Sequence, residues 1–172
     1  AHGSGFADAN ATVSDVYCEL VVSDNPLPVQ SPLTLDSQAV FRGGNGYGST
    51  ATRIRLYTSL TTRGADLTAV NDATNGASVT INVAGIYAVA CNDGKGSGSS
   101  RCGLSLNSSQ LTTDIDAITA ADALAMVDAV SNIAGFAYTS YFDVGSALRP
   151  HQTAASDRTA AGQVVFIVTR VA

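Results

Sequence analysis

Apolar residues recur at every second position in one short run after another along this chain, and Gly, Asn, Asp and Ser cut the runs apart. A period of two places alternate side chains on one face of an extended strand, so the pattern predicts sheets rather than helices. Strands are predicted near Asp15–Ser23, Gln38–Arg42, Thr52–Thr61, Ser78–Val83, Gly85–Asn92, Arg101–Asn107, Ala123–Val130, Ala134–Asp143, Ala147–Arg149 and Gln163–Val171. Many short strands with turn signals between them point to an all-β antiparallel sandwich. GGNGYGS at Gly43–Ser49 reads as a loop, and Asp24–Pro32, with three of the four prolines, as an extended connector. Thr119–Val130 is alanine-rich, and its Thr119-x-x-Asp122 resembles a capping box, so a helix competes there with a strand. The strand is preferred because the chain just downstream keeps alternating as a hairpin would.

Two runs are apolar on both faces. In Ile86–Cys91 the alternate sets are Ile86, Ala88, Ala90 and Tyr87, Val89, Cys91; in Val164–Val171 they are Val164, Phe166, Val168 and Val165, Ile167, Val171. A strand of a two-layer sandwich buries one face and wets the other. A second dry face needs a cover, which an antiparallel sandwich with little helix does not carry itself, so another subunit is the natural source. Ile86, Ala88, Val164, Phe166 and Val168 are therefore subunit-interface candidates in a closed oligomer. Which face of Ile86–Cys91 looks toward the symmetry axis stays open.

At 172 residues the chain suits one domain with a sizeable core. Charged residues make up only 13% against 45% hydrophobic, which suggests that part of the surface is covered in an assembly. The net charge of −5 argues against nucleic acid as a partner. No apolar run is long enough to predict a membrane helix. AHGSGFADANAT lacks the basic and apolar regions of a signal peptide, and an Ala start is what clipping of an initiator Met leaves, so the chain reads as nearly complete. A signal peptide already removed is the alternative.

The residues that carry chemistry give bland readings. Cys91 and Cys102 flank the polar tongue NDGKGSGSSR and read either as a disulfide at a hairpin mouth or as two half-buried apolar residues where two strands begin to pair. Cys18 reads as core. With His2 and His151 the only histidines, no zinc spacing is available, and no metal or cofactor is expected. Asp114, Asp116, Asp122 and Asp128 lack the glycine-containing pattern of a calcium loop and read as a solvated acidic face. His151 has many serines to act on but no Gly-x-Ser-x-Gly elbow, and GKGSGSS lacks a phosphate-loop frame, so no catalytic residue is assigned. Arg53, Arg55 and Arg63 either line the wet face of TRIRLYTSL, opposite Ile54, Leu56 and Leu60, or pair with acids on a partner.

NDATNGASVTINVAGIY at Asn71–Tyr87 resembles the segment of C1q/TNF-like jelly rolls in which a strand ends at a turn and the next opens Gly-x-Tyr. FDVGSALRPH at Phe142–His151 is similar to their late hairpin, with Ser146 where an acidic residue is common. QVVFIVTRVA at Gln163–Ala172 resembles their terminal strand, at the centre of the inner sheet. NSSQL, the GSALRPH turn and the closing F-x-V-T-R-V also resemble small jelly-roll structural proteins of tailed bacteriophages. The likeness spans about Thr52 to Ala172; it implies residues 51–172 as the jelly-roll domain and 1–50 as an N-terminal arm with the first strands. It further implies a homotrimer on a virion, assembled in the bacterial host cytoplasm, with the major capsid protein or another virion protein as partner. A head decoration (cement) protein is the leading expectation; the alternatives are the receptor-binding tip of a tail fibre and a C1q-like binding module.

Overall fold

The structure, a computed structural model, describes residues 37–49, 52–94, 100–130, 133–153 and 163–172. The strand expected at Asp15–Ser23, the connector Asp24–Pro32 and Cys18 lie outside the described residues. The described strands run β1 (Gln38–Tyr47), β2 (Arg55–Arg63), β3 (Leu67–Asp72), β4 (Gly76–Ile81), β5 (Gly85–Gly94), β6 (Arg101–Leu106), β7 (Ala123–Asp128), β8 (Ile133–Phe142), β9 (Ala147–Gln152) and β10 (Val165–Arg170). They form two five-stranded sheets, β2-β1-β10-β5-β8 and β3-β4-β9-β6-β7. Every paired neighbour is antiparallel. As expected from its resemblance, the terminal strand β10 takes the middle of its sheet. β1 lies before the boundary drawn at residue 50, yet it sits between β2 and β10, inside a compact unit that spans Leu35–Ala172.

Alternation builds the core. Ala39 and Phe41 on β1, Tyr57 on β2, Tyr87, Val89 and Cys91 on β5, and Phe166 and Val168 on β10 turn inward from the first sheet. Ala77, Val79, Ile81, Cys102, Leu104 and Leu148 meet them from the second. Phe41 lies 5.4 Å from Tyr57 and 5.5 Å from Phe166, centroid to centroid, so aromatic rings fill one end of the space between the sheets.

Four expectations change. Gly43–Ser49 is not a loop: β1 continues to Tyr47 through a register shift between Gly44 and Tyr47, where glycines relieve the crowding of an irregular ladder. β3 was invisible in the sequence because LTAVND is short and ends in polar turn residues; it is an edge strand joined to β4 by a turn. In that turn Asp72 Oδ1 accepts from the amides of Thr74 and Asn75, and Gly76 holds φ +84° against Ile54, where a Cβ would lie 2.6 Å from the Ile54 carbonyl oxygen. β5 and β6 do not form a hairpin: they belong to different sheets, β5 beside β10 and β8, β6 beside β9 and β7. The same holds for β8 and β9, which the expected late hairpin would have paired. At Thr119–Val130 the strand prevails, as β7 paired to β6. The Asp122 amide donates to the Thr119 carbonyl in the turn that leads into it.

The second sheet carries its own cover. The connection from β6 to β7 folds back over the outer side of β6 and β9, and Ile115 and Ile118 are buried there. The Ile115 amide donates to the Gln152 carbonyl at 3.0 Å, and Gly103 keeps the approach open, since a Cβ there would stand 2.5 Å from Ile115 Cγ1. The premise that this sandwich has nothing of its own to cover a second face fails for this sheet.

Candidate interaction surface

The outer face of the first sheet has no such connection folded over it among the described residues, and its central side chains are small or aliphatic. One cross-strand rank runs Val40, Ile167, Ala90, Ala137 over four strands. The ranks on either side are Gln38, Thr169, Ala88, Thr139 and Arg42, Val165, Asn92, Gly135. Arg42 is the one charged side chain in the three ranks. Ala90 and Ala137 are exposed, and Ile86 (40%) and Tyr141 (58%), which face each other across β5 and β8, extend the patch at one end. A sheet face of Ala, Gly, Thr and Val lets a second backbone layer come close.

The five interface candidates divide between the two faces. Ile86 and Ala88 lie on this outer face. Val164, Phe166 and Val168 are each 0% exposed and pack into the core of the protomer, so they offer nothing to a partner. Parity explains the difference: the outward set on β10 is Val165, Ile167 and Thr169, one residue out of step with the set chosen from sequence.

The arginines follow a different geometry from the wet face expected. Arg55 is fully buried beside Tyr57, its guanidinium 3.3 Å from Asp93 and over the Tyr47 ring at 5.5 Å, with a donor to the Gly46 carbonyl at 3.2 Å. Arg53 pairs with Asp114, and Arg101 takes Asp116 at 3.0 Å and Asp128 at 2.7 Å. Three of the four clustered aspartates are thus occupied by arginines, and among the described residues no three His, Cys, Asp or Glu side chains are grouped as a metal site would need. Arg63, the third member of the basic concentration, stays exposed on β2.

His151 does meet a serine, but in a sealed place. Its Nδ1 lies 3.0 Å from Ser105 Oγ and its Nε2 2.7 Å from the Thr113 carbonyl oxygen, beneath the connection that covers the second sheet, with both side chains fully buried. The carbonyl can only accept, so Nε2 carries the proton and Nδ1 accepts from the Ser105 hydroxyl. No substrate reaches this pair, and its role is to tie the connection to β6 and β9. Burial pushes the imidazole below its ordinary 6.5, and nearby Arg149 adds to this; the Thr113 hydrogen bond and Asp114 oppose it. A folded pKa below the unfolded one means stability is complete above the unfolded value and falls as acid charges the ring. The melting temperature is therefore expected to hold from neutral to mildly basic pH and to drop as the pH falls below the ordinary 6.5, a slope that His151→Gln flattens in a pH series of thermal melts.

A shallow cavity of about 300 Å³ opens on the second sheet where β4 and β9 diverge, lined by Val70, Asp72, Ser78, Leu111 and Arg149 among others. The divergence arises because β4 pairs with β9 only at Val79 and Thr80, and Ile54 bridges to His151 beyond them. Arg149 reaches the Ser108 carbonyl at 3.3 Å from there.

No protein-family model and no curated protein matches this sequence. Solved structures do resemble it. Murine APRIL, in the structure at pH 8.5, aligns with a TM-score of 0.56 at 11% identity, over 78% of this chain and 98% of that one. Eiger TNF from S. frugiperda aligns with a TM-score of 0.52 at 15% identity, over 80% of this chain and 93% of that one. At such identities the likeness speaks to architecture alone. The chain has the TNF-like jelly-roll fold: all-β, with two antiparallel sheets packed face to face.

Proposed function

We propose that this chain is a non-enzymatic binding module that assembles into a homotrimer through the outer face of its first sheet and works as a head decoration protein on a bacteriophage virion. The observation that carries the reading is the rank Val40, Ile167, Ala90, Ala137 and its neighbours, a nearly uncharged strip on the exposed side of a sheet whose other side is already core. Low charge and the phage-like sequence from NSSQL to F-x-V-T-R-V support the virion setting. The mechanism is mechanical. Three copies joined around an axis present three contacts to neighbouring capsid subunits, and the second and third engage at high effective concentration once the first has bound.

The test is the mass of the purified chain by light scattering, then co-sedimentation with undecorated heads. A trimer that pellets with the heads is the expected result. A trimer left in the supernatant favours the receptor-binding reading, which the cavity beside Arg149 and Leu111 supports as a place for a small ligand. A monomer overturns both.

A further inference from the structure

We propose that Cys91 and Cys102 are a covalent cross-linking site, at which oxidation forms a disulfide that joins the two sheets through the core. Cys91 belongs to β5 in the first sheet and Cys102 to β6 in the second, and their sulfurs lie 3.2 Å apart. A disulfide needs about 2.05 Å, so closure asks for an approach of roughly 1 Å, within the reach of side-chain rotation. Both strands are held on both sides, which fixes this encounter. Cys91 stands between Phe166 of β10 and Phe136 of β8, and Cys102 between Val127 of β7 and Gln152 of β9. Gln152 Nε2 also donates to the Cys102 sulfur at 3.6 Å, which orients it.

The two residues are 3% and 0% exposed, so a protein disulfide cannot reach them, whereas a small peroxide can during local opening. One thiolate attacks the peroxide: an S–O bond forms, the O–O bond breaks, and water leaves with the thiol proton. The second thiol attacks that sulfenic sulfur: the S–S bond forms, the S–O bond breaks, and a second water leaves. Two thiols and one peroxide give one disulfide and two waters. A chain folded in a reducing cytoplasm holds the pair as thiols, and oxidising surroundings after release close it. The inference holds whether or not the module sits on a virion.

The experiment treats the full-length, reduced protein with dilute hydrogen peroxide, then alkylates it under denaturing conditions and maps the peptides by mass spectrometry. The expected product links Cys91 to Cys102, leaves Cys18 alkylated, and raises the melting temperature by about 5–10 °C, reversibly with dithiothreitol. Cys102→Ala should abolish both the link and the rise; if that variant does not fold, the wild-type peptide map alone decides. Both thiols still alkylated, a link to Cys18, or conversion to sulfinic acid would overturn the proposal.

Discussion

An Ile167→Asp variant is expected to be a folded monomer, whereas Phe166→Asp is expected to yield no folded protein. The two residues are neighbours on β10, and the sandwich separates them. Phe166 is 0% exposed and sits against the Phe41 and Tyr57 rings. Losing the ring costs about 3–5 kcal/mol, and burying a carboxylate in its place costs several more, enough to exhaust a typical stability of about 5–15 kcal/mol. Ile167 is on the other side, part-exposed between Val40 and Ala90. A charge there is solvated in the monomer and would be desolvated without a partner in the proposed trimer, so the damage falls on assembly. Circular dichroism with light scattering separates the outcomes. An Ile167→Asp trimer would remove this face from the assembly, and a folded Phe166→Asp would refute the assignment of the core.

Asp93→Ala is the second large effect, with an expected loss of about 3–5 kcal/mol in urea unfolding. Asp93 and Arg55 are both fully buried and 3.3 Å apart, and removing the carboxylate leaves a guanidinium that cannot lose its charge in the protein interior. The pair itself need not be a net stabiliser, because desolvating two ions offsets most of their attraction. The double variant Arg55→Met, Asp93→Leu is therefore expected to recover most of what Asp93→Ala loses. If the single variant unfolds at the wild-type urea concentration, the pair carries no such weight.

The strands were legible because alternation is local. LYT, VTI, YAV and FIV each declare an extended segment within a few residues, and nothing distant is needed to read them. β3 escaped because an edge strand keeps half its positions in water, so its pattern is weak. Gly43–Ser49 escaped because its glycines mark a bulged strand as readily as a loop. The outer face fared similarly: that the first sheet has a second apolar face could be read from Ile86–Cys91 and Val164–Val171, but which set of each points outward could not. Both sets on β10 are apolar, and the choice between Phe166 and Ile167 depends on which one meets Phe41 and Tyr57 from across the fold.

The sequence by itself determined an all-β sandwich of short antiparallel strands, because a period of two and frequent turn residues act over neighbouring positions. Only the tertiary structure decided that Arg55 is buried against Asp93, that His151 is sealed under the β6–β7 connection, and that Cys91 meets Cys102 from opposite sheets. The physical reason is the same in each case. These contacts join segments assigned to sheets by packing, and a strand's own alternation is blind to which sheet it enters and which of its two faces the core will take.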